Sequence, residues 1–363
     1  MFDKTLWPRN YFESRETFLS EARSCGAQLA LNTSELLGPS NESLSVDVAA
    51  CISDSDTHRI VLTSGLHGAE GFVGAAIQRQ VLRILSSEGL PERVGIVLIH
   101  AANPWGFAHQ RRVDENNVDV NRNFVDFSNA LLKNADPYSV LDPIINAPTA
   151  PGFTDDVRYW LSAGKLIAKH RGVEPLAGPI AEGQYHFPKG LFFGGNHLTE
   201  SRERLEQCVR KYTAKVPQVT VLDIHSGLGP SGLATLISNS NRVPDNQRVS
   251  WLQKHYDMPA VLDSSPDNAY DARGTWSQWC AKEFADQQFT FLCVEIGTVN
   301  PIKLFNALRR ENQAHHWAAP DSRAFSETKQ ALVNVFAPES ARWREKAVGE
   351  GVKAYRKTLL LNE

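Results

Sequence analysis

The sequence has no long hydrophobic run and no pattern of a secretion signal. None of its apolar stretches approaches the ~18 residues of a membrane-spanning helix. Its beginning, MFDKTLWPRNYFESRETF, lacks the basic start and the apolar run of a signal peptide. We therefore predict a cytoplasmic protein that does not enter a membrane.

Paired cysteines and an excess of one charge are also absent. The 5 cysteines are an odd number without a C-x-x-C pair, which argues against a disulfide framework and against zinc held by thiolates. Lys and Arg number 38 and Asp and Glu 41, giving a formal net charge of -3. So small a charge does not favour nucleic acid or an anionic membrane as the main partner.

What is present is the composition of a globular protein, with 42% hydrophobic and 22% charged residues. The spacing of apolar residues predicts a docking helix over residues 11–31. Residues 44–52 and 58–66 are predicted to be two strands of an antiparallel hairpin. A helix over residues 72–86 and a buried strand over 94–101 then complete a β-helix-β unit.

In the second half of the chain, segments with the residue spacing of a strand again alternate with segments that have the spacing of a helix. Strands are predicted at residues 219–224, 233–238 and 289–296. Helices are predicted at residues 155–170, 199–215, 244–256, 275–285 and through most of the chain from 300 to 362. Because no low-complexity linker divides the chain, we predict one α/β domain over residues 1–363, with a central mixed sheet flanked by helices.

Polar residues with catalytic chemistry follow three of the apolar strands. His67 and Glu70 come after the strand at 58–66, His225 after the strand at 219–224, and Glu295 ends the run FTFLCVE. Two histidines and a carboxylate form a ligand set that a catalytic zinc uses while one position stays open. A glycine-rich turn with a surface His and Glu, and a hydrogen-bonded turn histidine, are the alternatives for these positions.

Five segments, in this order, carry a family resemblance: HGAEG, NPWGF, NVDVNRNF, DIHSG and VEIGT. Together they resemble the zinc carboxypeptidase superfamily, which includes aspartoacylase-like deacylases, and most closely its uncharacterised bacterial carboxypeptidase-like branch. The motifs span residues 60–300. The resemblance implies a single α/β/α domain with a mixed, largely parallel sheet and one zinc ion.

The same resemblance implies roles for individual residues. His67, Glu70 and His225 match the zinc ligands, and Glu295 matches the general base. Such a carboxylate takes a proton from water and later passes it to the leaving nitrogen. Asp119 matches the aspartate that holds a ligand histidine in the correct tautomer.

Further matches concern substrate binding. Asn121 and Arg122 match the pair that binds a substrate carboxylate, for which the planar guanidinium of arginine is well suited. Arg111 or Arg112 matches the arginine that stabilises the developing oxyanion. We favour Arg112, although the spacing to Asn121 does not choose between the two neighbours.

Tyr270, in the segment YDARGTWSQW, matches a mobile tyrosine of the superfamily. A tyrosine packed under a loop is the alternative interpretation. The sequence departs from the family pattern in a longer segment at about residues 125–200, which we predict to be an insertion near the mouth of the site. An N-terminal helix and hairpin at about residues 1–57 precede the motifs.

These observations predict a zinc metallohydrolase that cleaves an amide bond next to a free carboxylate. A carboxypeptidase-like activity on small peptides or amino-acid conjugates is the first hypothesis, and an N-acyl amino acid deacylase is the second. A non-catalytic ligand-binding module is the third. The expected partner is a small molecule or short peptide with a free carboxylate, rather than nucleic acid or a membrane, and the sequence does not indicate an oligomeric state.

Overall fold

A mixed sheet of eight strands lies at the centre of the computed structural model, which describes residues 3–128, 137–172, 178–180, 182–263 and 272–362. The strands are β1 (Gln28–Leu37), β2 (Ser43–Cys51), β3 (His58–Thr63), β4 (Val94–His100), β5 (Gln218–Gly227), β6 (Ala234–Ser240), β7 (Ala260–Leu262) and β8 (Gln288–Gly297). Their order across the sheet is β1-β2-β4-β3-β5-β8-β6-β7. Strands β4, β3, β5 and β8 are mutually parallel, as are β6 and β7, so the predicted mixed and largely parallel sheet is confirmed.

Helices connect and cover these strands. They are α1 (Tyr11–Ser24), α2 (Gly71–Glu88), α3 (Pro104–Ala108), α4 (Asp142–Ile145), α5 (Phe153–His170), α6 (Glu200–Thr213), α7 (Asp245–Tyr256), α8 (Trp276–Glu283), α9 (Pro301–Trp317), α10 (Arg323–Phe336) and α11 (Ala341–Leu359). Short 3-10 turns include Gly68–Glu70 and Val120–Arg122. Within the described ranges, no helix combines the length and apolar character that crossing a bilayer requires.

Both faces of the sheet are buried under helices. Along β3, Ile60 and Leu62 pack into one apolar cluster, together with residues of α1, α2, α7 and α11. Val61 points to the opposite face, into a second cluster with residues of α6 and α8. Successive side chains of a strand alternate between the two faces, and continuous apolar runs therefore indicate burial on both. The α/β/α architecture follows from these runs.

Two predicted elements at the start of the chain were wrong. The helix predicted over residues 11–31 ends at Ser24, and the chain turns at Gly26, whose φ is 74°, before it forms β1. Strand β1 is a partly exposed edge strand, so its apolar residues do not alternate clearly enough to indicate a strand.

The predicted antiparallel hairpin of β2 and β3 was also wrong. Strand β4 lies between them, antiparallel to β2 and parallel to β3. The β3-α2-β4 unit that the sequence predicted occupies the edge of β3 where a hairpin partner would pair. Strand β2 therefore pairs with the free edge of β4.

A buried histidine begins β3 and makes folding sensitive to pH. His58 is fully buried, and its Nε2 lies 2.9 Å from Thr220 Oγ1. Burial, with a smaller contribution from Arg242, lowers the pKa of His58 from 6.5 to about 4. Between these two values the unfolded chain binds a proton that the folded chain does not. The contribution of His58 to stability is therefore complete above pH ~6.5 and declines as the pH falls towards 4.

We expect His58→Gln, which can keep a hydrogen bond to Thr220, to weaken the pH dependence of folding. The free energy of unfolding from urea titrations at pH 7 and pH 5 should differ less in the variant than in the wild type. The part removed is at most about 1.4 kcal/mol per pH unit. An identical pH dependence in both proteins would contradict the assigned pKa shift.

Candidate metal centre

Three side chains from two separate segments meet at the carboxyl ends of the central strands. The ligating atoms of His67, Glu70 and His225 all lie within 4.8 Å of one another, and all three residues are buried. The Nδ1 atom of His67 is 2.9 Å from Glu70 Oε1, and the Nδ1 atom of His225 is 3.0 Å from Glu70 Oε2. The structure thus brings the three predicted ligands into one group that could hold a metal ion.

The turn after β3 is shaped by its glycines. Gly65 has a φ of 66°, in the left-handed region that glycine adopts without strain. A Cβ atom on Gly68 would collide with the backbone of Gly106 in α3. The backbone N–H groups of Gly68 and Ala69 donate to the carbonyl oxygens of Arg112 and Arg111, at 3.1 and 2.8 Å. This close packing fixes the turn that carries His67 and Glu70.

An aspartate contacts the outer nitrogen, Nε2, of each histidine in the cluster. His67 Nε2 is 3.1 Å from Asp119 Oδ1, and His225 Nε2 is 2.6 Å from Asp223 Oδ2. Thr63 Oγ1 donates to Asp223 Oδ1 at 2.7 Å and so orients that carboxylate. Carboxylates that bind the outer nitrogen of a ligand histidine fix its tautomer and ring orientation. Both Nδ1 atoms are thereby presented to the centre.

Asp223 was missed by the sequence interpretation, although a signal for it was present. It lies two residues before His225 on the same strand, and side chains two residues apart in a strand point to the same face. Asp119, by contrast, was named from the family resemblance, and the structure places it against His67.

Opposite charges keep these buried carboxylates ionised. Burial by itself would raise the pKa of Asp119, but Arg112 and His67 hold that pKa well below its ordinary value. Burial would likewise raise the pKa of Glu70, and the two neighbouring histidines instead lower it. For His225, burial favours a lower pKa, but Asp223 raises the pKa well above the ordinary value. The cluster is a set of mutually stabilising charges.

Glu295 lies on the strand next to His225 and has a different environment. The two residues are register partners in the pairing of β5 with β8. The backbone N–H of Leu228 donates to Glu295 Oε1 at 2.9 Å. Burial, followed by the nearby Glu70 carboxylate, raises the pKa of Glu295 to about 7. A carboxyl group with this pKa can both accept and release a proton near neutral pH.

The two neighbouring arginines point to different places. Arg112 donates from Nε to Asp119 Oδ2 and from Nη1 to Glu70 Oε1, both at 3.0 Å. Arg111 lies outside the site, where its Nε donates to Glu311 Oε1 at 2.9 Å and its Nη2 bonds with Asn117 and Asn312. The position of Arg111 therefore corrects its inclusion among the catalytic residues, and Arg112 is the arginine at the cluster.

The turn Val120–Arg122 contributes two of the three predicted substrate-binding residues. Asn121 accepts a hydrogen bond on Oδ1 from the backbone N–H of Trp276 at 2.9 Å, which ties the turn to α8. Arg122 is buried, and its Nη1 donates to the carbonyl oxygen of Asn121 at 2.8 Å. Asn121 and Arg122 line the same cavity as the ligand cluster. Tyr270, the other predicted substrate-binding residue, lies outside the described residues.

That cavity has a volume of about 410 Å³ and contains Arg112 and Glu295 as well. Its charged lining comes from the strand ends and from the turns beside them. A large apolar part of the lining comes from α4, α5 and α9. Helices α4 and α5 belong to the segment at about residues 125–200 that was predicted to lie near the mouth of the site, whereas α9 was not connected with the site. The size is within the range of ~300–1,000 Å³ that is common for small-molecule sites.

Comparison with known proteins gives a family and a set of similar structures. A family model described as "Protein of unknown function (DUF2817)" matches residues 7–350. A search of curated proteins found no match. Similar solved structures include carboxypeptidase A from Helicoverpa armigera, which is 12% identical with a TM-score of 0.48 over 94% of this chain and 76% of that one.

Two other similar structures are bacterial. An aspartoacylase family protein from Mesorhizobium loti is 16% identical with a TM-score of 0.40, over 82% of this chain and 68% of that one. Succinylglutamate desuccinylase from Chromobacterium violaceum is 14% identical with a TM-score of 0.38, over 89% of this chain and 74% of that one. These names fall within the superfamily that the sequence motifs resemble.

The contact between Asp223 and His225 should tune metal affinity. We expect Asp223→Asn, which removes the negative charge behind the imidazole, to weaken Zn²⁺ binding by roughly 10- to 100-fold. Competition with a chromophoric chelator measures this affinity. Asp257→Asn, at an exposed position after α7, is the matched control and should bind Zn²⁺ like the wild type. Equal affinity in all three proteins would refute the orienting role of Asp223.

Proposed function

Since this chain belongs to the family described as "Protein of unknown function (DUF2817)", a description that assigns no activity, we propose a function from the site itself. The protein is a zinc-dependent hydrolase that cleaves an amide bond next to a free carboxylate. One observation carries this proposal: the His67, Glu70 and His225 cluster, with Glu295 on the adjacent strand, faces the same cavity as Arg122.

The residues of the cluster fit a zinc ion by their chemistry. Two imidazoles and one carboxylate are a known catalytic ligand set, which leaves a coordination position open. The aspartates behind both histidines supply the outer contacts that zinc-binding histidines usually have. When bound there, zinc supplies Lewis-acid polarisation of a carbonyl group and lowers the pKa of water.

Glu295 is the proton carrier in this proposal. Its carboxylate accepts a proton from the attacking water as the water oxygen bonds to the carbonyl carbon. Glu295 then gives the proton to the amide nitrogen as the carbon–nitrogen bond breaks. The products are a carboxylic acid and an amine. The pKa of about 7, which burial and Glu70 produce, suits a group that must carry out both transfers.

The two arginines in the cavity divide the remaining tasks. Arg112, between Asp119 and Glu70, is the group that stabilises negative charge on the carbonyl oxygen of the substrate. Arg122, assisted by Asn121, binds the free carboxylate. The partner is accordingly a small molecule or short peptide that carries such a carboxylate.

Carboxypeptidase and N-acyl amino acid deacylase activities require the same machinery and differ in the acyl part of the substrate. The apolar lining from α4, α5 and α9 is a specific observation in favour of the deacylase. A binding module without catalysis is less well supported, because a buried carboxyl group with a raised pKa beside the ligand cluster has no use in simple binding.

Replacing the proton carrier should separate catalysis from metal binding. We expect Glu295→Gln to lower kcat by about 10²- to 10⁴-fold on any substrate found in a panel of N-blocked dipeptides and acyl-amino acids. The zinc content should stay near one equivalent, and a chelator should abolish the wild-type activity. Full activity of the Gln variant, or of the metal-free protein, would overturn the proposed function.

Removal of Arg122, the residue proposed to bind the free carboxylate, should weaken substrate binding. We expect Arg122→Ala to lower kcat/KM by roughly 10- to 100-fold, mainly through KM, because hydrogen bonds to a charged group are each worth ~1.5–3 kcal/mol. The preference for a free acid over its primary amide should also disappear. Arg273→Ala removes an exposed arginine of a neighbouring segment and serves as the control. Retention of the preference for the acid in Arg122→Ala would show that the carboxylate binds elsewhere.

A further inference from the structure

We infer that the substrate is an N-acyl amino acid whose acyl group is a long apolar chain, held in a chamber between helices α4 and α5 on one side and α9 on the other. This inference depends on the proposed function, because it assigns the acyl side of the same amide bond. It is carried by the composition of the walls, by their connection to Glu295 and by the contacts that hold the walls together.

The chamber is the apolar part of the cavity. Helices α4, α5 and α9 contribute only uncharged residues to its lining within the described part of the chain. Representative side chains are Ile144, Ala163, Leu166, Leu304, Phe305 and Leu308. A charged acyl group would be desolvated against these walls without a partner, which is costly, whereas a hydrocarbon chain would gain from leaving water.

The apolar wall begins directly beside the catalytic glutamate. A Cβ atom placed on Gly227 would lie 3.0 Å from Leu304 Cδ1 and 3.4 Å from both Glu295 Oε1 and a ring carbon of Phe336. An apolar group in the chamber would therefore extend from a carbonyl carbon placed near Glu295.

Arg122, which is proposed to bind the carboxylate, comes from a different element of the fold from the apolar residues. A Cβ atom placed on Gly183 would be 2.7 Å from Arg122 Cδ, and one on Gly274 would be 2.5 Å from the carbonyl oxygen of Arg122. Arg122 thus packs against Gly183 and Gly274, which lie outside α5 and α9. The cavity therefore offers a cationic side chain, Arg122, for the amino-acid carboxylate and an apolar wall from α4, α5 and α9 for the acyl group.

Specific ion pairs fix the two sides of the chamber to each other. Arg309 of α9 is buried, with its guanidinium 4.0 Å from the ring centroid of Tyr159 in α5. The same guanidinium bonds with Asp155 at 3.3 Å and with Asp156 at 2.8 Å. Phe305 also packs on the apolar cluster that Tyr159 forms with residues of α4. These contacts fix α5 against α9, so the walls of the chamber are held in place by the packing of the fold.

The chamber reaches the surface. Trp160 and Ile302 line the cavity while being 47% and 63% exposed. A chain that is longer than the chamber can thus extend out between α5 and α9. This arrangement favours a long linear chain over a short group such as acetyl.

Chain length is the variable that tests the inference. The zinc-loaded protein is assayed with N-acetyl-, N-butanoyl-, N-octanoyl- and N-dodecanoylglycine, and binding of acetate, octanoate and dodecanoate is measured by calorimetry with and without zinc. We expect kcat/KM to rise roughly two- to fourfold for each added methylene until the chamber is full. Fatty-acid affinity should rise in parallel.

A pair of substitutions in α5 localises the effect. Ala163→Trp fills the chamber and should reduce the ratio of dodecanoyl to acetyl kcat/KM by at least about 10-fold, the equivalent of a few methylenes. Ala168→Trp adds the same side chain at an exposed position of the same helix and should keep the wild-type ratio. If the Ala163→Trp protein does not fold, the dependence of kcat/KM and of fatty-acid affinity on chain length in the wild type tests the inference.

The outcomes separate the two proposals. Hydrolysis of the acetyl compound at the same or a higher kcat/KM than the dodecanoyl compound overturns the apolar acyl group and leaves the hydrolase intact. Absence of hydrolysis of these compounds and of the whole panel of N-blocked dipeptides and acyl-amino acids, together with affinity that rises with chain length and falls in Ala163→Trp, supports the apolar chamber and rejects the hydrolase. Failure of dodecanoate to bind more tightly than acetate overturns the inference.

Discussion

The parallel pairing of β3, β5 and β8 in one register is the constraint on which the site depends. It aligns Thr63 with Asp223 and His225 with Glu295. Parallel strands run in the same direction, so the polar residues at their carboxyl ends meet at one edge of the sheet. A shift of one residue in β5 would turn His225 to the opposite face and dismantle the cluster.

Burial of so many charged groups imposes a second requirement: each buried charge must lie next to a group of opposite charge. Glu70 and Asp119 are buried carboxylates, and each contacts both His67 and Arg112. Removing one partner of such a network leaves an uncompensated buried charge and is strongly destabilising. Chemistry and stability are therefore linked at this site: the groups that orient the ligands also keep each other ionised.

The sequence predicted those parts of the protein whose signals are local. Continuous apolar runs indicated the buried strands, and polar residues directly after them indicated where His67 and His225 would meet. Strand order is not local, which is why the hairpin of β2 and β3 was predicted where β4 intervenes. Arg111 and Arg112 are adjacent in sequence, but contacts with Glu311 of α9 and with Asn117 hold the first away from the site.

The apolar chamber was not predictable from the sequence for a similar reason. Its walls come from α5 and α9, which are more than 100 residues apart in the chain. Their contact includes the pairs of Arg309 with Asp155 and Asp156, which no motif or periodicity indicates.

The most direct test of the metal centre is anomalous X-ray diffraction at the zinc absorption edge from crystals grown with one equivalent of Zn²⁺. The account predicts a single strong peak bonded to Nδ1 of His67, Nδ1 of His225 and the carboxylate of Glu70, with Asp119 and Asp223 still on the outer nitrogens. No peak at that position, or a peak bonded through the Nε2 atoms, would contradict it.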